Sequence, residues 1–237
     1  MVILGQLPIS LNQTTISNWK SDIFEIVKPI DHIGITKNAD GKRWEYLDNN
    51  IESQLPKTFE GDFLIAITRV PLEDNYYARR FSNNRICMTF YEMADILKSS
   101  NIPFENLIYR LLYSYCLIYK RYGNRIPPKA EVTSFTHDET RGCLFDMNGI
   151  KSDIIYSTDK PIICKSCVVK LINEKVPENE VETLQKELKR ITKGLYFQIL
   201  DFIKNNPIWT LIISSLTAII LGTIGSVIAS ILYEKIK

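Results

Sequence analysis

The sequence predicts an α+β soluble domain, a mixed sheet with one long buried helix, followed by a helical stalk and one C-terminal transmembrane helix. Three observations predict it: short apolar runs between turn residues, one long stretch apolar on most sides, and an uncharged segment near the end of the chain. The expected divisions are 1–176 for the domain, 177–205 for the stalk, 206–233 for the span and 234–237 for a short tail.

Within the domain, Phe63–Thr68 is an apolar run between Gly61-Asp62 and Pro71, the pattern of a buried strand, and Arg85–Phe90 is a second. Tyr91–Ser99 reads as a short helix. Asn101 to Pro103 breaks the chain before a longer one, Phe104–Tyr122, which Gly123-Asn124 ends. Beyond Pro127-Pro128 come three short segments, Glu131–Phe135, Asp153–Ser157 and Pro161–Cys164. Charged residues make up 24% of the chain and the net charge is +2, a balance that gives no reason to expect duplex nucleic acid as a partner. Five cysteines with no secretory leader argue against a disulfide framework.

The span is Ile208–Leu232, which holds no charged residue. Its 25 residues extend about 37 Å, against a hydrocarbon core of about 30 Å. Asn206 can cap it, Pro207 suits its first position, and Trp209 and Tyr233 sit where aromatic rings favour the interface. Lys189, Arg190, Lys193 and Lys204 precede the span, against Lys235 and Lys237 after it. That excess places the N-terminal domain in the cytoplasm as a single-pass, tail-anchored membrane protein. Ser215, Ala218, Gly222, Gly225 and Ala229 form a stripe of small residues, flanked by the hydroxyls of Thr223, Ser226 and Ser230. Such a stripe lets helices approach closely in lipid, so homo-oligomers are expected, with a hydroxyl-lined pathway as the sharper reading.

Val176-Pro177 opens the stalk. Val181, Leu184, Leu188, Ile191 and Leu195 repeat at three and four, Gln198 and Phe202 continue the frame, and Glu182, Lys186, Glu187, Lys189 and Arg190 take the polar faces. Gly194 weakens the seam, which leaves self-association and packing against the domain both open.

The strongest chemical signal is Cys164-x-x-Cys167 with Cys143 upstream. Tetrahedral zinc needs four ligands, and His137 or Asp138 would complete the set as a structural site. A redox pair or unrelated buried thiols are the alternatives. The spacing of His137, Cys143 and Cys164-x-x-Cys167 resembles the C-terminal part of the archaemetzincins, zinc peptidases of the zincin fold. There an H-E-x-x-H helix is followed by a third His beside a Cys, a second Cys five residues on, and a C-x-x-C about twenty further. On that resemblance His137 falls at the third His, Asp138 at the first Cys, and Cys143, Cys164 and Cys167 at the other thiols. The resemblance covers about residues 60–170 and implies a zincin-like mixed sheet. The departure decides the activity: the long helix has neither His nor Glu at those places, and the chain holds only His32 and His137. The resemblance therefore implies a domain without a peptidase site, its place taken by apolar packing.

Tyr76, Tyr77, Arg79, Arg80 and Arg85 interleave rings and guanidinium groups that can stack on bases and grip phosphates, a candidate nucleotide or oligonucleotide site. Together these features describe a membrane effector, not an enzyme, whose cytosolic domain senses a ligand and controls an oligomeric span. The layout is similar to bacterial anti-phage effectors that gate a channel or pore. The alternatives are a membrane-tethered zinc hydrolase using His137 and Asp138, and a non-conducting adaptor.

Overall fold

The structure, a computed structural model, describes every residue except Pro8, Lys28, Val132 and Lys237, so the expected segment Glu131–Phe135 and the tail 234–237 lie partly outside the described residues. The chain divides into two units, Met1–Thr192 and Lys193–Lys237.

In the first unit β1 (Val2–Leu4), α1 (Gln13–Ser17), β2 (Asp31–Ile33), α2 (Asp48–Gln54) and β3 (Leu64–Thr68) lead to the hairpin of β4 (Ala78–Phe81) and β5 (Arg85–Thr89). The sheet order is β2-β1-β3-β5-β4. Neighbours are parallel, with Val2 opposite both Asp31 and Ala66, and Leu64 opposite Arg85. Only β4 runs antiparallel, with Ala78 opposite Met88. The hairpin turns at Asn83-Asn84, both with φ near +55°, a conformation that asparagine tolerates better than most residues. This is the mixed α+β architecture expected of the domain.

Both faces of the sheet are covered, which explains why β3 and β5 read as unbroken apolar runs. Side chains alternate across each strand. Ile3, Ile65, Ile67, Ile86 and Met88 enter the larger core, while Leu4, Ala66, Cys87 and Phe81 meet Ile51 of α2 and Leu55 just after it in a smaller one. The larger core is built on α3 (Met93–Ser99) and α4 (Phe104–Arg121), the long helix expected from the sequence. Residues 106–118 of α4 are all buried. Gly123 and Asn124, both at positive φ, close its C-terminus. Three further helices follow: α5 (Ile154–Thr158), α6 (Lys165–Asn173) and α7 (Glu178–Leu188).

The single stalk helix expected over 177–205 is two helices in two units. Val181, Leu184, Leu188 and Ile191 are buried in the larger core of the first unit, so packing against the domain wins for this half of the seam. The helix stops because the backbone after it is drawn into other bonds. The Lys160 amide donates to Ile191 O (2.7 Å) and the Asn106 side chain to Thr192 O (3.1 Å). Gly194 then takes an extended ψ of 148° and caps α8 (Leu195–Asn205).

Glu187, expected on a polar face, is buried. Its carboxylate accepts from Ser21 Oγ (2.6 Å), the Asp22 amide (2.7 Å) and Tyr113 OH (2.6 Å), tying α7 to α4 and to the loop after α1. Burial alone would raise its pKa; these hydrogen bonds outweigh that effect and hold it below the usual carboxylate value. Stability from Glu187 is therefore present above the ordinary glutamate pKa and is lost as pH falls through its lower folded value. Glu187→Ala is expected to cost about 2–3 kcal/mol at neutral pH. Melting temperatures taken from pH 7 downward should show wild type and Glu187→Ala converging in acid; a constant gap would contradict this account.

In the second unit α9 (Pro207–Ile236) follows α8 after Asn206 alone. An 18-residue window within Pro207–Lys235 has mean hydropathy 2.2, and α9 is the one helix among the described residues long and apolar enough to cross a membrane. The small-residue stripe lies on its exposed surface, and a Cβ added at Gly222 or Gly225 would meet no atom within 4 Å.

Candidate metal centre and adjacent cavity

Two pieces of chain build the centre. The first, 136–149, is pinned by short bridges rather than by a full strand. His137 donates its amide to Phe145 O (3.1 Å) and accepts from the Met147 amide (2.9 Å); Leu144 donates to Ile162 O (2.7 Å). Gly142 is required at the bend: its φ is +81°, and a Cβ there would lie 2.9 Å from the Tyr156 carbonyl oxygen. The second piece is the start of α6, where Cys164 caps the helix and Cys167 sits in its first turn.

The imidazole of His137 and the thiols of Cys143, Cys164 and Cys167 converge, with ligand atoms all within 4.8 Å of one another, so the cluster can hold a metal ion. The Cys143 and Cys167 sulfurs are 3.9 Å apart, and Cys164 Sγ is 3.5 Å from His137 Nε2. All three thiols are buried. Of the two residues weighed for the fourth place, His137 supplies the atom, and Asp138 is exposed and outside the group. On the other edge of the ring, His137 Nδ1 lies 3.0 Å from the exposed Glu139 carboxylate, near in distance but without hydrogen-bond geometry. The hydrogen bond between Cys143 and Cys167 holds the Cys143 thiol down to about 5, aided by backbone donors, and pushes Cys167 up.

A cavity of about 520 Å³ opens beside the centre, walled by α4, β4 and the same 136–149 segment. Its floor is polar. Arg110, 2% exposed, donates to Ser157 Oγ (2.8 Å), Tyr77 OH (2.9 Å) and Asp146 O (3.0 Å). The expectation of apolar packing along this face of α4 is therefore wrong for Arg110 and Ser114, which line the cavity with Tyr115. Asp146 and Asn148 are buried at its edge, and Asp146 Oδ2 and Asn148 Oδ1 have no hydrogen-bond partner within the protein. Sequence reading missed all three residues. A cation set in the middle of an apolar helix was the available signal for Arg110, since such a group must find partners.

The five residues of the candidate ligand site part company, because β4 turns alternate side chains to opposite faces of the sheet. Arg79 is buried on the α2 side, paired with Asp48 (3.2 Å) and Asp74 (2.9 Å). Arg85 is likewise consumed by Glu52 (2.7 Å). These two are structural ion pairs. Tyr76, Tyr77 and Arg80 do line the cavity, with Arg80 bonded to Pro127 O (2.7 Å) and set over the Phe135 ring. His32, on β2, is exposed beside Gln13.

Fold and centre together define a class: a mixed α+β domain with a three-cysteine, one-histidine cluster that could hold a metal ion, in one chain with a helix long and apolar enough to cross a membrane. Comparisons with family models, curated proteins and solved structures return no match.

Proposed function

We propose that this chain is a membrane-anchored, non-catalytic sensor, in which a zinc-stiffened domain binds a nucleotide-like ligand and controls an assembly of membrane helices. The observation that carries it is the shared wall: the segment that supplies His137 and Cys143 also lines the cavity. Zinc suits the donor set. Bonds of about 2.3 Å to sulfur and about 2.0–2.1 Å to nitrogen, at tetrahedral angles, put sulfurs about 3.8 Å apart and sulfur and nitrogen about 3.6 Å apart. The separations of 3.9 and 3.5 Å lie close to both. Four protein ligands fill a tetrahedron and leave no open position for a reacting water, which favours a structural ion over the hydrolase reading. The similarity to a zincin-like domain without a peptidase site is supported by the order of elements, a mixed sheet, the long α4, then the His/Cys segment.

The cavity supports the ligand class. Tyr76, Tyr77, Tyr115 and Phe135 offer flat apolar faces, Arg80 a cation, and Asp146 and Asn148 unpaired acceptors. A nucleobase brings a flat face and N–H donors, and its phosphate brings an anion. Control of a gate would pass to α9, whose Gly222 and Gly225 lie on an open surface.

The test is calorimetry on the full chain in detergent, with a panel of mono- and oligonucleotides, alongside metal content and stoichiometry. Arg80→Ala should weaken binding at least about tenfold. Arg79→Ala should lower stability without that loss. Ion flux from liposomes that needs both ligand and Gly222 would support gating. No binding across the panel, or equal loss in both arginine variants, would sink the sensor reading.

A further inference from the structure

The second unit carries an apolar surface that nothing in it covers. At 100° per residue, Phe202, Leu195, Ile199, Ile203 and Tyr196 of α8 fall within an arc of about 120°, with Gln198, Asp201, Lys204 and Asn205 opposite, interrupted there by the half-buried ring of Phe197. Leu195 is 73% exposed, Ile199 50% and Phe202 46%. The polar side is already engaged: Gln198 donates to Lys193 O (2.7 Å), and Lys193 pairs with Asp201 (2.7 Å). No soluble helix gains from five large apolar side chains in water.

The chain itself limits what can cover them. Only Asn206 separates α8 from α9, so the last residue of α8 is within about 7 Å of Pro207. If α9 spans a bilayer, as read above, that joint lies at the headgroup layer, next to the interface-seeking ring of Trp209. We infer that α8 is a second membrane element: an amphipathic helix lying in the bilayer interface, its Leu195–Ile199–Phe202 face among the acyl chains and Asp201 toward water. Lys204, on the side turned to water, suits anionic headgroups. The unit is then an anchor with an in-plane arm, not a vertical stalk on a span.

The experiment uses the full chain with one environment-sensitive fluorophore on an introduced cysteine, reconstituted in vesicles of phosphatidylcholine with phosphatidylglycerol. The five native cysteines are buried, which leaves the new thiol as the reactive one. Labels go on Ile199→Cys, Asp201→Cys and, as a marker of the span, Ile219→Cys. The expected result is severalfold weaker quenching by aqueous iodide at 199 than at 201, with the reverse order for a nitroxide carried on lipid. Equal iodide quenching at 199 and 201, while the 219 label responds only to the lipid quencher, overturns the inference and leaves the span intact. A 199 label shielded from both quenchers overturns it in favour of a protein partner, such as a second copy. Iodide quenching at 219 removes the span and this inference with it.

Discussion

Cys167→Ser is expected to abolish metal retention and lower the melting temperature of the soluble unit by roughly 10–20 °C, the counterpart of roughly 4–5 kcal/mol. The reason is local. Between α4 and α5 the described residues of 122–153 form no long helix or strand, and their order rests on short bridges such as His137 with Phe145 and Leu144 with Ile162. An ion bound by His137, Cys143, Cys164 and Cys167 would join this segment to the start of α6 through two ligands from each. Metal content by mass spectrometry and calorimetric melting on the full chain should change together, and a strong chelator should reproduce the variant in the wild type. Asp138→Asn is the control, because Asp138 lies outside the cluster and should leave both readings unchanged. A purified wild-type chain that holds no metal and melts alike with and without chelator would end the structural-ion reading.

Arg110→Met is the second large effect, expected to cost roughly 3–5 kcal/mol. The methionine fills much of the volume, so the loss reports polar satisfaction rather than a void. Tyr77 OH, Ser157 Oγ and Asp146 O would each lose a charged donor in a buried place. Arg110→Lys should recover little, since an ammonium on a flexible stem cannot serve three acceptors set around a planar fork. Urea unfolding should show a lower midpoint with an unchanged slope. A loss below about 1 kcal/mol would mean that water or a rearranged Tyr77 satisfies the site. Because Tyr77 also lines the cavity, the nucleotide binding proposed above should fall with Arg110→Met even under conditions where the variant stays folded.

The elements legible in the sequence were those with strong one-dimensional signals. β3, β5, α4 and α9 announce themselves by apolar runs between breakers, and Cys164-x-x-Cys167 with Cys143 gave three of the four clustered ligands outright. What stayed hidden depends on partners far away in the chain. Val2–Leu4 is too short to read as a strand, yet it pairs on both sides. The β4 hairpin turns at Asn83-Asn84, a cue the sequence reading did not use, and the arginines of β4 and β5 looked like a surface grip until the pleat sent Arg79 and Arg85 inward to Asp48 and Glu52. The heptad seam was real as an apolar stripe, and the stripe does not say what it packs against. Glu187, an ordinary surface residue by type, is buried because Ser21, Asp22 and Tyr113 arrive together to meet it.

The double use of the 136–149 segment has a thermodynamic consequence. An occupant of the cavity and an ion on the thiols would act on one stretch of backbone, so their affinities are linked. Whatever factor the ion adds to ligand affinity, the ligand must add to ion affinity. Removing the ion would then loosen the wall formed by Leu144 to Gly149 and shift the ligand concentration at which the protein responds. On the sensor reading proposed above, metal supply would then act as its set point.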